Sequence, residues 1–325
     1  MQGLPRSTSL LLLLAAAAVG IAAGGCGDDE PPADAPRPVA LALDFMPNAA
    51  HAGVYAARRN GLDRRQGIDL KIRAPSASTD SLKLLASGRA DVAIVDIHDL
   101  GLARRRGADI VGVGAIVQQP LAAVIARPGV KRPRDLEGKR VGVTGLPSDD
   151  AVLKAVVEAD GGDPGRVQTK TIGFSAVPSL VAGKVDAVVS FWNAEGVALR
   201  ERGVRTREFR LRDYGAPSYP ELVLVTQRET LERRRGLVSS AVAAVRSGTN
   251  AVIKGDRAPI VAEIARASGG DAELVRAQLA AVLPAFAPAL VLRRKELEGW
   301  ARFDARFGIL KRRPSVERAF ALPAR

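Results

Sequence analysis

Few side chains in this sequence are chemically versatile. It has one Cys, Cys26, and two His, His51 and His98. A lone Cys excludes an intramolecular disulfide framework, and two distant His make a His-built metal centre unexpected. No Ser-His-Asp order, Walker loop or GxGxxG motif is present. Neither a metal nor an organic cofactor is expected. The remaining chemistry is aromatic rings, amides and carboxylates set close together at a few turns. One such turn is Leu43-Asp44-Phe45-Met46-Pro47-Asn48-Ala49-Ala50-His51-Ala52-Gly53-Val54-Tyr55, where Phe45, Asn48, His51 and Tyr55 combine a ring, an amide, an imidazole and a phenol. A second is Phe191-Trp192-Asn193-Ala194-Glu195-Gly196. There an aromatic face beside a carboxylate suits a planar, amine-bearing heterocycle, because the ring stacks and the acid accepts N–H bonds. Asp96-Ile97-His98-Asp99 and Gly145-Leu146-Pro147-Ser148-Asp149 are two further candidates; Ser148 is read as a helix cap first and a ligand contact second. A plainer reading stands beside each: Phe45 and Trp192 as core rings, Asn48 as a cap, Glu195 as a first-turn helix charge.

These turns need strands to present them. In open α/β sheets, ligands bind beyond the carboxyl ends of strands. Short apolar strands are expected at Val39 to Asp44, Ile68 to Arg73, Asp91 to Val95, Ile110 to Val117 and Leu121 to Ala126. Helices are expected at Ala52 to Asn60, Asp80 to Ser87 and Asp99 to Arg106. After Pro128-Gly129 the alternation resumes, with strands at Arg140 to Thr144, Gln168 to Ile172 and Ala187 to Ser190 and helices at Asp149 to Ala159, Val177 to Ala182 and Asn193 to Arg202. Leu222 to Thr226 is a further strand. Beyond it helices dominate: Leu231 to Lys254, Ala258 to Ala267, Asp271 to Leu283 and Lys295 to Phe307. A weak internal echo, Gly88-Arg89-Ala90-Asp91 against Gly183-Lys184-Val185-Asp186, fits two lobes of similar build. The expected class is α/β, each lobe a mostly parallel sheet flanked by helices, with a helical C-terminal region. Residues 39–126 plus 222–325 are expected to form lobe 1 and residues 127–221 lobe 2. Interlobe crossings near Arg127 and near Tyr214 to Pro220 would act as a hinge.

Residues 1–25 read as a signal peptide. Arg6 precedes an apolar run from Leu10 to Ala23, too short for the ~20 residues of a membrane-spanning helix. Small residues before Cys26 resemble the cleavage box of bacterial lipoproteins, apart from Ala23 where Leu is usual. The resemblance implies lipidation of Cys26 and anchorage to the membrane on the extracytoplasmic side. Residues 26–38 would form a polar, Pro-rich tether.

The formal charge is +13, from 48 Lys and Arg against 35 Asp and Glu. Much of it sits in Arg runs: Arg58-Arg59, Arg104-Arg105-Arg106, Arg233-Arg234-Arg235 and Arg312-Arg313. Without interleaved aromatics these read as a solvated basic surface, and no nucleic-acid partner is expected.

Taken in order, Leu43-Asp44-Phe45-Met46-Pro47-Asn48, Gly67-Ile68-Asp69-Leu70, Gly88-Arg89-Ala90-Asp91, Phe191-Trp192-Asn193-Ala194-Glu195-Gly196 and Ser218-Tyr219-Pro220-Glu221-Leu222 resemble the THI5/NMT1-like substrate-binding proteins, over Val39 to Phe307. The likeness is greatest to binders of thiamin pyrimidine precursors. It implies a two-lobed periplasmic-binding fold of the second type that closes on its ligand and delivers it to an ABC permease and ATPase. It makes Phe45 a stacking ring, in place of the usual Trp, with Asn48 and Tyr55 lining the first lobe. Glu195 would accept the pyrimidine amine, Trp192 and Asn193 would lie beside it, and Tyr219 and Glu221 would sit at the second crossing. Asp44, Asp96 and Glu195 would repel the sulfonate or nitrate that a sister branch binds, while a flavin is an alternative flat ring. The family's enzyme branch, a pyrimidine synthase, holds iron through a Cys-rich stretch that would fall near Pro217 to Glu221, where this chain has no Cys. His98 falls at that branch's donor His and is read here as a hydrogen-bonding residue of the cleft wall or as packing.

Overall fold

A computed structural model describes residues 35–322. The expected signal segment, Cys26 and most of the tether lie outside the described residues. The chain opens with strand β1 (Arg37–Ala42), helix α1 (Ala52–Arg59), β2 (Ile68–Arg73), α2 (Asp80–Ala86), β3 (Val92–Asp96), α3 (Ile97–Arg105) and β4 (Ile110–Ala115). Then come β5 (Ala122–Ala126), β6 (Arg140–Val143), α4 (Pro147–Ala159), β7 (Gln168–Thr171), α5 (Ala176–Val181), β8 (Ala187–Phe191), α6 (Glu195–Glu201) and β9 (Arg207–Arg210). After β10 (Leu222–Gln227) come only helices: α7 (Arg228–Arg233), α8 (Arg235–Lys254), α9 (Ala258–Ser268), α10 (Ala272–Val282), α11 (Arg294–Arg306) and α12 (Val316–Ala319). Among the described residues no helix is long and apolar enough to cross a membrane.

Two five-stranded sheets result, ordered β2-β1-β3-β10-β4 and β7-β6-β8-β5-β9. The order is the same in both lobes. Each sheet has one strand antiparallel to its two neighbours, β10 in the first and β5 in the second. Each of these strands arrives from the other lobe. The expected boundary after residue 126 is therefore one strand late: β5 pairs with β8 from Ala122 opposite Phe191 to Ala126 opposite Ala187. The first crossing lies between β4 and β5, not near Arg127. Two apolar runs divided by Gln118-Gln119-Pro120 look alike in composition, and only their pairing partners assign them to a lobe.

The sequence echo is a shared device. Gly88 (φ 69°) and Gly183 (φ 68°) turn the chain out of α2 and α5 in the left-handed region that glycine tolerates. Asp91 Oδ2 then accepts from Ala40 N, and Asp186 Oδ2 from Arg140 N, both at 2.9 Å. Each carboxylate thus aligns a central strand with its parallel neighbour, β3 with β1 and β8 with β6. Strand β9 has no strong signal in the sequence, because only Phe209 of its four residues is buried. The helix expected over Leu231 to Lys254 divides at Arg234 (φ −126°, ψ 38°), whose guanidinium reaches Asp91 at 2.5 Å.

Helix α1 packs closely on α8 because both faces carry glycine. A Cβ on Gly248 would lie 1.9 Å from the Gly53 carbonyl oxygen, and one on Gly53 would lie 2.2 Å from Thr249 Oγ1. Gly248→Ala is expected to destabilise the protein by ~1–3 kcal/mol, the usual range for overpacking. Urea unfolding measures this, and an unchanged midpoint would contradict so close an approach.

Candidate functional site

The carboxyl ends of β1 and β3 face those of β6 and β8 across a cleft between the lobes. The space left in it is about 90 Å³. Three phenylalanines line it: Phe45 from lobe 1, and Phe174 and Phe191 from lobe 2. Phe45 and Phe174 meet edge to face, with centroids 4.4 Å apart and planes at 64°. Five carboxyls join them: Asp44, Asp96 and Asp99 from lobe 1, Asp149 and Glu195 from lobe 2. No Lys, Arg or His is among the lining residues. The walls also touch directly, Ser148 Oγ donating to Asp99 Oδ2 (3.2 Å) and Ser78 Oγ to the Thr144 carbonyl (3.4 Å).

The loop after β1 is built to present Asp44 and Phe45. Asn48 caps the turn that leads into α1, its Oδ1 accepting from Ala50 N at 2.8 Å. His51 Nδ1 accepts the Asn48 N–H (3.2 Å), which puts the imidazole proton on Nε2, and Nε2 donates to Asp44 Oδ1 at 2.8 Å. His51 is fully buried and holds Asp44 from behind. Asn48 lines the cleft while capping; His51 does not line it. Tyr55, expected to line the first lobe, is buried on α1 instead, where burial pushes its phenol up to about 12. Its place on the helix sends the ring into the core and away from the strand ends.

The Phe191–Glu195 turn is divided. Phe191 and Glu195 face the cleft. Glu195 begins α6, accepts from Phe191 N (3.2 Å), and is pushed up by burial, with the Asp44 charge adding to the shift. Trp192 faces the other way, contrary to expectation. Its Nε1 donates to the Pro120 carbonyl (3.2 Å) and the Arg210 guanidinium stacks 4.4 Å from its ring, so it braces the first crossing. Alternation along an extended segment sends neighbouring side chains to opposite faces, which is why Phe191, not Trp192, reaches the cleft. Asn193 is also off the cleft, fully buried, with neither side-chain polar atom hydrogen-bonded. Ser148 does line the cleft. Asp149 spends one oxygen on its own turn, accepting from Thr144 N and Oγ1 at 2.7 Å, and burial lifts it to about 6.

Behind the cleft a buried polar cluster joins the crossings. Asp96 reaches the cleft and also caps α3, accepting from His98 N at 2.7 Å. Glu221, fully buried on the second crossing, accepts from Leu121 N on the first at 2.8 Å. His98 Nδ1 bonds Asp304 of α11 at 2.6 Å and its Nε2 bonds the Tyr219 hydroxyl at 3.0 Å. Burial alone would depress His98, but Asp304 above all, then Asp96 and Glu221, push it up to about 10. Burial pushes Asp96 well up, the Glu221 charge adding to it, and burial raises Glu221 too. Asp99 is also held well up, first by burial. His98, Tyr219 and Glu221, expected at the ligand, therefore stand behind the wall. Asp96, His98 and Glu221 approach within metal-binding range of one another; both ring nitrogens of His98 are engaged, with Asp304 and Tyr219.

Sequence spacing left Phe174 and Ser78 unrecognised. Both lie outside the quoted motifs, and each is brought in by its own loop.

This architecture is a two-lobed periplasmic-binding-protein fold. It superposes on the alkanesulfonate-binding protein SsuA of Xanthomonas axonopodis pv. citri, bound to MOPS, with a TM-score of 0.73 at 19% identity, covering 89% of this chain and 99% of that one. A Candida albicans protein described as having the generic periplasmic binding protein fold gives 0.69 at 15% identity over 87% and 95%. The family model described as NMT1/THI5 like matches residues 48–257, and the chain belongs to that family. A formylaminopyrimidine-binding protein of Halalkalibacterium halodurans is 38% identical over 197 residues, 60% of each chain. A 4-amino-5-hydroxymethyl-2-methylpyrimidine phosphate synthase of Saccharomyces cerevisiae is 25% identical over 167 residues, 50% of this chain and 48% of that one. The match thus spans about half to three fifths of these relatives' lengths.

The folded value of His98 lies above its ordinary 6.5. Its stabilisation is therefore complete below about pH 6.5 and lost as pH rises toward 10. The raised carboxyls shed theirs from the ordinary carboxylate range upward. His98→Gln should cost ~3–5 kcal/mol at neutral pH by stranding buried carboxylates. Its deficit against wild type should shrink as pH approaches 10. A constant gap across a urea-unfolding pH series would show that His98 is not the charged partner.

Proposed function

We propose that the protein is an extracytoplasmic solute-binding protein. It captures a thiamin pyrimidine precursor, of formylaminopyrimidine or hydroxymethylpyrimidine type, and hands it to an ABC permease and ATPase. Lipid on Cys26 would hold it at the cell envelope. One observation carries this reading: aromatic rings and carboxyls from both lobes converge on one cleft whose lining has no cationic side chain. The named binding activity of the 38%-identical relative supports it.

The chemistry follows from the donor set. A flat ring lies against Phe45 and Phe174, and its polarised edges complement their π faces. Glu195 and Asp44 accept N–H bonds from an exocyclic amine, one from each lobe. Burial raises Asp96 and Asp99 and so favours their protonated forms; a carboxylic acid can donate to a ring nitrogen, which a carboxylate cannot do. A ligand that satisfies both walls is bound fully only when the lobes close, and domain closure about a hinge is the usual response. An oxyanion would meet carboxyls on both sides. The cavity suits one ring better than the three of a flavin. No bond is made or broken. The synthase chemistry of the yeast relative is disfavoured here, because the only Cys is Cys26 and His98 lies behind the wall.

Titration calorimetry with formylaminopyrimidine tests the reading. Glu195→Gln should weaken binding by ~1.5–3 kcal/mol, as for a hydrogen bond to a charged group. Phe174→Ala should lose ~1 kcal/mol or more of aromatic contact. Unchanged affinity in both variants, or tight binding of MOPS or taurine in place of the pyrimidine, would overturn the assignment.

A further inference from the structure

The basic surface has a focus that the cleft does not use. Arg104 and Arg105 end α3, and Lys311-Arg312-Arg313 follow α11 some two hundred residues later. The fold wraps both runs, together with Arg318 of α12, around one concavity of about 540 Å³ on lobe 1. It shares no lining residue with the cleft. Beneath it the packing is tight: a Cβ on Gly101 would meet Leu310 Cδ1 at 2.9 Å and the buried Trp300 ring at 3.0 Å. The two cationic walls are therefore held on a rigid apolar floor.

No Asp or Glu lines the concavity. Asp109 pairs with Arg104 and Glu298 with Arg313, both from outside. Among the described residues, Arg105, Lys311, Arg312 and Arg318 have no carboxylate in ion-pair reach, whereas elsewhere the fold pairs many of its arginines. Arg105 is aimed by a bond from its guanidinium to the Ile309 carbonyl (3.4 Å). Like charges gathered within a Debye length repel one another and hold counter-ions. A multiply charged anion relieves the repulsion and releases them. Guanidinium forks match the paired oxygens of phosphate in particular.

We propose that this concavity is a binding site for a phosphate-bearing anion, gripped by Arg105, Lys311, Arg312 and Arg318. The same chemistry is offered by a soluble polyphosphate or phosphate ester and by the headgroup of an anionic phospholipid.

Two arms separate these sources. In the first, the protein is titrated with sodium tripolyphosphate by calorimetry. In the second, it is sedimented with phosphatidylglycerol vesicles, with phosphatidylcholine vesicles as reference. The site predicts saturable binding in at least one arm. Arg105→Ser/Lys311→Ser/Arg312→Ser should weaken it by about tenfold or more. Arg202→Ser/Arg205→Ser/Arg207→Ser removes the same charge from exposed positions on lobe 2 and should leave it unchanged. All six positions are exposed, so melting temperatures should match wild type; Lys311→Ser/Arg312→Ser alone, also weakened, serves if the triple variant does not fold. Tripolyphosphate binding without vesicle retention assigns the soluble anion. Vesicle retention lost only in the concavity variant assigns the headgroup. Equal losses in both triple variants, or no saturable binding in either arm, would overturn the proposal.

Discussion

A buried carboxyl group, Glu221, accepts a hydrogen bond from the Leu121 backbone N–H at 2.8 Å and so ties one interlobe crossing to the other. Much of the arrangement around the cleft depends on keeping that charge tolerable in the interior. Its partner in the cleft wall is Asp96, and the compensating cation is His98, locked between Asp304 and Tyr219. A buried charge left unpaired is costly, whereas one balanced by a neighbour with its own hydrogen bonds can persist. The cluster therefore needs α3, α11 and both crossings in place together. Asp96 is its one member that also lines the cleft.

Both lobes bring acids to the same gap. Carboxyls from opposite walls disfavour close approach when both are ionised. Burial lessens the conflict by raising Asp96, Asp99, Asp149 and Glu195 toward their neutral forms. The cleft thus sets five carboxyl groups beside three aromatic rings. The SsuA relative shares the fold and binds MOPS in its crystal structure. The same scaffold therefore accommodates a sulfonate in that protein, and the side chains at the strand ends decide the ligand.

The paired lobes show how local rules repeat. Gly88 with Asp91 and Gly183 with Asp186 perform one operation twice: a left-handed turn, then a carboxylate that aligns the next strand. Such devices are legible because turn and strand lie within a few residues of each other. Strand β9 was not legible, since an edge strand with one buried residue carries little periodic signal.

From its own order of residues, the chain determined its alternating strands and helices, its glycine stops, the two-lobed class, and the loops and helix starts that carry Asp44, Phe45, Asn48, Ser148 and Glu195. All of these rest on interactions between near neighbours. Tertiary structure alone decided that β5 belongs to lobe 2, that Phe191 and not Trp192 faces the gap, and that Phe174 meets Phe45. It also decided that Tyr55, His98, Tyr219 and Glu221 support the wall from behind. Composition shows that a ring or an acid is present. Which side of a wall it occupies depends on strand register and on partners a hundred or more residues away, such as Leu121 for Glu221 and Asp304 for His98.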